Sequence, residues 1–296
     1  LFRSIAGIET GLGGRLDSTV VLDPILSILT PIGLDHTALL GDTVEAIASE
    51  KSYIIKRGVP AVSAPQKPSV QEIFSKRARN VNSEFVIAPG KSECKNAMST
   101  PKGSSFTGTR EWFRDVGIDI NLHGEFQLIN TSTALSAIEI LRNGKFEIDV
   151  HAVTAGLKSV KWAGRMDIKT NRATVILDGA HNEEGIKALT SNLKKLFPNK
   201  KIYFVLAILR DKKLDTIIKN ICEISHKIFI AKNQSARAAE IDEQTKFVTK
   251  YGGSYEIVAD VVDAKNRAVT EANKNDIVIV SGSLYTISEI LKKNNL

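Results

Sequence analysis

Three short stretches bring together residue types suited to phosphate and carboxylate chemistry. Glu9 is followed at once by Thr10-Gly11-Leu12-Gly13-Gly14-Arg15-Leu16-Asp17-Ser18-Thr19, an acid beside a glycine-rich turn. Asp35-His36 closes a second apolar run, and Lys51 ends a segment of helical spacing that begins at Thr43. A carboxylate with an imidazole suits a divalent cation, although Mg²⁺ prefers oxygen ligands and keeps several waters. Much later, Arg165 precedes the cluster Asp178-Gly179-Ala180-His181-Asn182. Arginine is a fixed planar cation matched to phosphate oxygens. An acid at the C-terminal edge of a strand can accept from ribose hydroxyls. The structural alternative is that Asp178 N-caps the following helix and His181 packs against it.

The elements that must position these residues read as α/β. Ile5-Ala6-Gly7-Ile8 reads as the end of a buried strand that delivers Glu9 to its C-terminal edge, where open α/β sheets bind ligands. The glycines after it allow close backbone approach or positive φ. Residues 25–30 read as a second strand, 43–51 as a helix and 59–63 as a third strand, an alternation that argues for a parallel sheet. A helix over 69–81 carries Val70, Ile73 and Phe74 on one side, and Phe85-Val86-Ile87 is a short strand. The polar stretch 91–108 reads as a mobile loop or a hairpin insertion. Residues 112–122 read as an edge pair, in which 118–122 alternate apolar and polar. A helix opens at Gly124 and closes at Gly144, carrying Gln127 and Asn130. The plain alternative for Asn130 is that it caps or pins this helix. A short helix follows over 150–157.

From Met166 onward, strands at 173–177, 201–207, 227–231 and 276–280 alternate with helices, one of them striped by Ile186, Leu189, Leu193 and Leu196. That pattern predicts a Rossmann-like sheet. The domains are therefore 1–160 and 166–296, joined by a linker over 161–165. The turn Ser281-Gly282-Ser283-Leu284-Tyr285 could hold an anion at a helix N-terminus, although a structural role suits it better. Arg210-Asp211-Lys212-Lys213 is either a ligand-facing group or a solvated charge run. His123, His151 and His226 lack a partner pattern and read as surface or packing residues.

Composition narrows the class. A chain of 296 residues with 43% hydrophobic and 25% charged content can bury sizeable cores in two domains. No apolar run approaches the roughly 18 residues of a membrane span, and no signal peptide precedes the first strand. Cys94 and Cys222 are too few for a disulfide framework, which favours the cytoplasm. The net charge of +7 favours anionic partners, but the basic residues are scattered and little aromatic content interleaves them, so nucleic acid is the weaker partner. The chain lacks an initiator Met and opens in what reads as a core strand, as a fragment would.

Glu9-Thr10-Gly11-Leu12-Gly13-Gly14-Arg15-Leu16-Asp17-Ser18-Thr19, the Leu34-Asp35-His36-Thr37 segment leading to Lys51, Gly164-Arg165-Met166-Asp167 and Asp178-Gly179-Ala180-His181-Asn182 together resemble the folylpolyglutamate synthase/dihydrofolate synthase family, a branch of the Mur ligases. The spacings from Glu9 to His36 and from His36 to Lys51 fit without a gap. Two departures stand out: Val20 replaces a common Asn, and Phe126 replaces a His, so only Gln127 and Asn130 of that segment carry over.

The resemblance implies a partial Mur-ligase central domain, lacking its N-terminal strand and P-loop, followed by a Rossmann-like C-terminal domain. It implies Mg²⁺ on Glu9 and His36, with a carbamylated Lys51 assisting a second metal site and K⁺ as a further cation. It implies that Asn130 faces the nucleotide base, that Arg165 reaches the phosphates, and that Asp178 and His181 close on the nucleotide, with Lys51, Asp178 and His181 as the catalytic set. The implied enzyme is a monomeric cytoplasmic ligase acting on ATP, glutamate and dihydropteroate or folate, through an acyl phosphate, with no nucleic-acid or membrane partner.

Such a ligase needs a phosphate cradle, Gly-x-x-x-x-Gly-Lys-(Ser/Thr). Gly90-Lys91-Ser92 invites the match, but Phe85 stands where the first glycine belongs and Pro89 removes a backbone donor. The true cradle is therefore expected upstream of the Glu9 segment. Another Mur-type amino-acid ligase, or a cradle-less binding module without catalysis, are the competing expectations.

Overall fold

The computed structural model describes residues 5–144, 146–170 and 172–293. The chain forms two compact units. One comprises residues up to Ala97, Phe106–Gly117 and Phe126–Ala155; the other comprises Met98–Ser105, Ile118–Glu125 and Gly156 onward.

The first unit runs β1 (Ser27–Leu29), α1 (Thr37–Leu40), α2 (Val44–Lys51), β2 (Ala61–Ser63), α3 (Pro68–Asn80) and β3 (Phe85–Ile87). Strands β1, β2 and β3 are parallel, with Ile28 beside Val62 and Val62 beside Val86. Thr43 starts α2, its hydroxyl accepting from the Ala46 N–H at 3.1 Å, a favoured N-cap arrangement. One side of the sheet is filled by Leu29, Ala48, Ile55, Val70, Phe74 and Ala78. Val62 and Ala88 instead pack with Ala137.

The chain continues through β4 (Lys95–Thr100), β5 (Gly103–Thr107), β6 (Gly117–Ile120), α4 (Phe126–Asn143) and α5 (Val150–Ser159). Strands β4, β5 and β6 form one sheet in that order, and Pro101-Lys102 joins the first two. The polar stretch is thus a hairpin, because a two-residue link between paired strands reverses the chain. Ile118 and Ile120 are buried while Gly117 and Asp119 are exposed, as the alternation predicts.

One expected strand is absent. Residues 5–8 belong to no helix or strand and their side chains are exposed, Ile5 and Ile8 by 44% and 60%. An apolar run becomes a strand only where a neighbour completes its hydrogen-bond ladder. Among the described residues β1 pairs with β2 alone.

The second unit carries β7 (Asp167–Thr170), β8 (Thr174–Leu177), α6 (Glu183–Leu196), β9 (Ile202–Leu206), α7 (Leu214–Cys222), β10 (Lys227–Ile230), α8 (Ile241–Lys250), β11 (Tyr255–Ile257), α9 (Val261–Glu271), β12 (Ile277–Ser281) and α10 (Leu284–Lys293). Its sheet has the order β11-β10-β9-β12-β8-β7. All neighbours are parallel except β7, which runs against β8. The central strands β9 and β12 are buried at every residue, which explains their near-continuous apolar sequences. Leu177, Val205, Phe229, Val278, Ala264 and Ile287 belong to one core cluster. Among the described residues no helix is long and apolar enough to cross a membrane.

Candidate functional site

The C-terminal edge of β8 is where the parallel sheet should present a ligand site. There the Asp178 N–H still donates to the Val280 carbonyl at 3.0 Å, so the residue is fixed by the sheet. Asp178 is only 5% exposed. Oδ2 accepts from the Met166 N–H at 2.8 Å, and Oδ1 from the Ala180 N–H at 2.8 Å. Burial pushes the Asp178 carboxyl above the usual carboxylate range, against the pull of those two N–H groups and of Arg165 and His181.

The capping alternative is overturned. Asn182, not Asp178, caps α6, its side-chain oxygen accepting from the Gly185 N–H at 2.8 Å. His181 is half-buried, with Nδ1 2.8 Å from the Gly179 carbonyl oxygen. A carbonyl only accepts, so Nδ1 carries the proton in that contact and neutral His181 keeps its lone pair on Nε2.

Arg165 is exposed, on a turn clamped from both sides. Gly164 before it has φ of 75°, and a Cβ there would lie 2.8 Å from Ile287 Cγ2. The Gly164 carbonyl accepts from the Gly179 N–H at 2.8 Å. Met166 after it is buried at φ 47°, in the left-handed region. The turn therefore presents Arg165 beside the Asp178 end of β8 in one defined backbone conformation.

The neighbouring strand end is built of contacts internal to the protein. The Ser281 hydroxyl and the Gly282 N–H both donate to the Ala180 carbonyl at 3.1 Å. Gly282 has φ of 118°, and a Cβ would come within 2.6 Å of the Ala207 carbonyl oxygen. Ser283 Oγ accepts from the Tyr285 and Thr286 N–H groups. Nor is the 210–213 segment a solvated run throughout: the Lys212 side chain is 8% exposed, 3.8 Å from Asp211, which also pairs with Arg237 at 2.7 Å.

In the first unit, Asp17 organises the glycine-rich turn. Its Oδ2 accepts from the Leu12 N–H at 2.8 Å, and Oδ1 from the Thr19 N–H at 2.9 Å and the Thr19 hydroxyl at 2.6 Å. The Thr19 hydroxyl, followed by the backbone donors, holds the Asp17 carboxyl down at about 2. Gly14 seats this turn on the end of α2, where a Cβ would meet the Glu50 carbonyl oxygen at 2.7 Å and that of Lys51 at 3.0 Å. Arg15 grips Glu50 with two nitrogens, at 3.2 and 3.0 Å. The glycine turn and the Lys51 end of the helix are thereby brought together.

The other expected residues are less gathered. Glu9 and His36 are exposed, and Lys51 is half-buried. His36 adopts φ of 51°, and its carbonyl accepts from the Leu39 and Leu40 N–H groups. Among the described residues no three His, Cys, Asp or Glu side chains converge to hold a metal. Asn130 is exposed and donates to Gln127 Oε1 at 3.0 Å, a contact along one helix face. The Gly90 segment is no cradle: it forms a short 3₁₀ turn whose Gly90 N–H donates to the Ser132 hydroxyl at 2.9 Å.

Sequence reasoning missed one buried polar network. Glu93, 2% exposed, accepts from the Ser132 hydroxyl at 2.6 Å and from Arg110 through two nitrogens. Arg110 also reaches Glu139 and the Ser136 hydroxyl. The only sequence signal is a pair of serines four apart on α4, facing the same way.

The comparisons with known proteins agree with this architecture. The family model for the Mur ligase, glutamate ligase domain matches residues 164–284. A dihydrofolate synthase/folylpolyglutamate synthase of Bacillus subtilis is 34% identical over 289 residues, 96% of this chain and 66% of that protein. A probable dihydrofolate synthetase of Schizosaccharomyces pombe is 33% identical over 305 residues, 97% of this chain and 70% of that protein. Among solved structures, Mycobacterium tuberculosis folylpolyglutamate synthase complexed with ADP and AMPPCP aligns with a TM-score of 0.84 at 26% identity, over 97% of this chain and 68% of that one. Escherichia coli FolC in complex with DHPP and ADP aligns with a TM-score of 0.78 at 26% identity, over 96% and 64%. The chain thus spans about two thirds of the length of these relatives.

Proposed function

The chain belongs to the dihydrofolate synthase/folylpolyglutamate synthase family, and we propose that it serves an ATP-dependent ligase joining L-glutamate to dihydropteroate, folate or both. The γ-phosphoryl of ATP passes to the substrate carboxylate, giving an acyl phosphate and ADP. The glutamate amine then attacks the acyl carbon, the C–O bond to phosphate breaks, and the amine proton passes to solvent or a base. The observation that carries this reading is the buried Asp178 carboxylate at the C-terminal edge of β8, beside Arg165, in the segment matched by the glutamate ligase domain model.

In this reading Arg165 binds the nucleotide phosphates, Asp178 and His181 hold the nucleotide, and Asn130 faces its base. Two features support these roles. Asp178 is oriented by two backbone donors instead of a flexible partner, and Arg165 stands exposed on a conformationally fixed turn. A site preorganised in this way spends less binding energy on ordering its groups.

Glu9 fits Mg²⁺ in donor chemistry, and His36 would add a single nitrogen to an otherwise oxygen-ligated ion. Both are exposed, so they would leave positions for water and phosphate oxygens, the usual manner in which Mg²⁺ is held. When bound, the ion offsets charge on the transferred phosphoryl group. Lys51 is the proposed site of carbamylation, which replaces its ammonium by a carboxylate-like group for a second cation position, with K⁺ as a further cation. The enzyme acts as a cytoplasmic monomer in this reading.

We assign residues 1–160 to a central ATP-binding domain, 161–165 to a linker and 166–296 to the C-terminal domain, with a further strand and the phosphate cradle supplied by chain outside these residues. Exposed apolar side chains in one short stretch of sequence support this: Leu16 and Val21 are 88% and 81% exposed, and Ile25 and Ile28 are 55% and 43% exposed. Substituting Glu9→Ala or His36→Ala in the protein as encoded should abolish ligation with the fold intact by circular dichroism. Near-normal activity in both variants would defeat the metal assignment.

A further inference from the structure

Along the face of β8 that meets α9, the second unit contains a cavity of about 120 Å³. It lies where the edge strand β7, strand β8 and helix α9 meet. Ala173, Val175 and Leu177 alternate along the chain and so share one face of β8. Lys169 of β7 stands opposite Val175 in the antiparallel register. Lys265 and Val269 are one turn apart on α9, and all of these residues line the cavity together with Arg172 and Asn266.

The cavity has two chemically distinct parts. Its floor is apolar: Ala173 and Leu177 are buried in the core cluster, and Val175 and Val269 pack on that cluster while only partly covered. Its rim is cationic, formed by Lys169, Arg172 and Lys265. Lys169 is paired with Asp167 at 3.2 Å. Lys265 is half-buried, and burial holds its ammonium below the usual lysine range. A partly desolvated cation beside uncovered apolar surface is costly in the empty protein. An anion with an apolar body would compensate both terms at once.

We propose that this cavity is a binding site for a small aryl carboxylate, separate from the nucleotide-binding end of the sheet. The ring lies on Val175 and Val269, and the carboxylate faces Lys265 and Arg172. A dry apolar cavity of about 150 Å³ accommodates benzene, so this smaller one takes the ring only in part and leaves the carboxylate at the cationic rim. The neighbouring strand end cannot offer the same site, because its hydroxyls and N–H groups are engaged within the protein.

Benzoate titrated into the 296-residue chain tests this by two-dimensional NMR. Saturable shifts are expected at the Val175 and Val269 methyl groups, with benzamide and inorganic phosphate each binding at least tenfold more weakly. Lys265→Met, which keeps the side chain's length, should remove the preference for benzoate over benzamide. Val269→Phe should fill the cavity and abolish binding of either. Absence of saturable shifts at those valines would overturn the proposal, as would equal binding of benzamide. Phosphate binding as tightly as benzoate would reduce the rim to plain charge and overturn the apolar half. Nucleotide binding is untouched by any of these outcomes.

Discussion

Met166 donates its backbone N–H to Asp178 at 2.8 Å while holding φ of 47° with its side chain fully buried. One residue thus bears a left-handed backbone so that a buried carboxylate has a donor. The strain falls on the side chain's owner, and the benefit falls on the acid at the strand edge.

That relationship reverses an ordinary ranking. Removing the Met166 side chain should cost about 2–5 kcal/mol in Met166→Ala through lost burial and the cavity left behind. Glycine is normally about 1 kcal/mol worse than alanine. At φ 47° an L-residue pays roughly 1–2 kcal/mol that glycine does not. Met166→Gly should therefore unfold in urea no earlier than Met166→Ala. A glycine variant clearly less stable than the alanine one would show that the left-handed conformation costs nothing there.

The glycine-rich turn should be acid-sensitive. The Asp17 carboxyl is held at about 2, below its ordinary 3.8. A depressed carboxylate contributes its stabilisation fully above the unfolded value, and that contribution is lost as pH falls through the folded one. Protection of the Leu12 and Thr19 amides, taken relative to their intrinsic exchange rate at each pH, should be high at pH 5 and be lost as pH drops from about 4 to 2. In Asp17→Asn the same amides should exchange faster at pH 5 and lose most of this dependence. Protection unchanged by either treatment would mean that the turn is held by something other than Asp17.

The Glu93–Arg110 network should behave as a buried pair. The Arg110 and Glu93 side chains are 11% and 1% exposed. Burial alone would lower the Arg110 pKa, but Glu93 and then Glu139 outweigh it and hold the value up. Arg110→Met leaves Glu93 without its cation and should destabilise by about 3–5 kcal/mol. The double variant Arg110→Met with Glu93→Gln should recover part of that loss in denaturant titrations. Strict additivity of the two single variants would rule out the coupling.

What could be read from the sequence was what is local. The stripe of Ile186, Leu189 and Leu193 announces α6, although its start was misplaced, since Asn182 and not Asp178 is the cap. The apolar runs of β9 and β12 announce buried central strands. The β7 and β11 strands went unread because they are short, partly polar edge strands. Ile5-Ala6-Gly7-Ile8 has the composition of a strand but no partner among the described residues, and a strand is a property of the pair. In the site, Asp178 was legible as an acid at a strand edge. Its true partner, the Met166 N–H, was not, because no side-chain pattern records which backbone donor a left-handed turn will aim. Arg110 meets Glu93 across 17 residues and Glu139 across 29, separations that carry no periodic signal.

The most direct measurement is ADP release by the protein as encoded, supplied with MgATP, L-glutamate and either dihydropteroate or tetrahydrofolate. ADP and the new glutamyl amide should appear in equal amounts, and only when glutamate and the pteroate or folate carboxylate are both present. Asp178→Asn should reduce that rate at least tenfold at fixed ATP. ADP formation indifferent to the carboxylate substrate, or none from the folded protein with both substrates present, would contradict a folate–glutamate ligase.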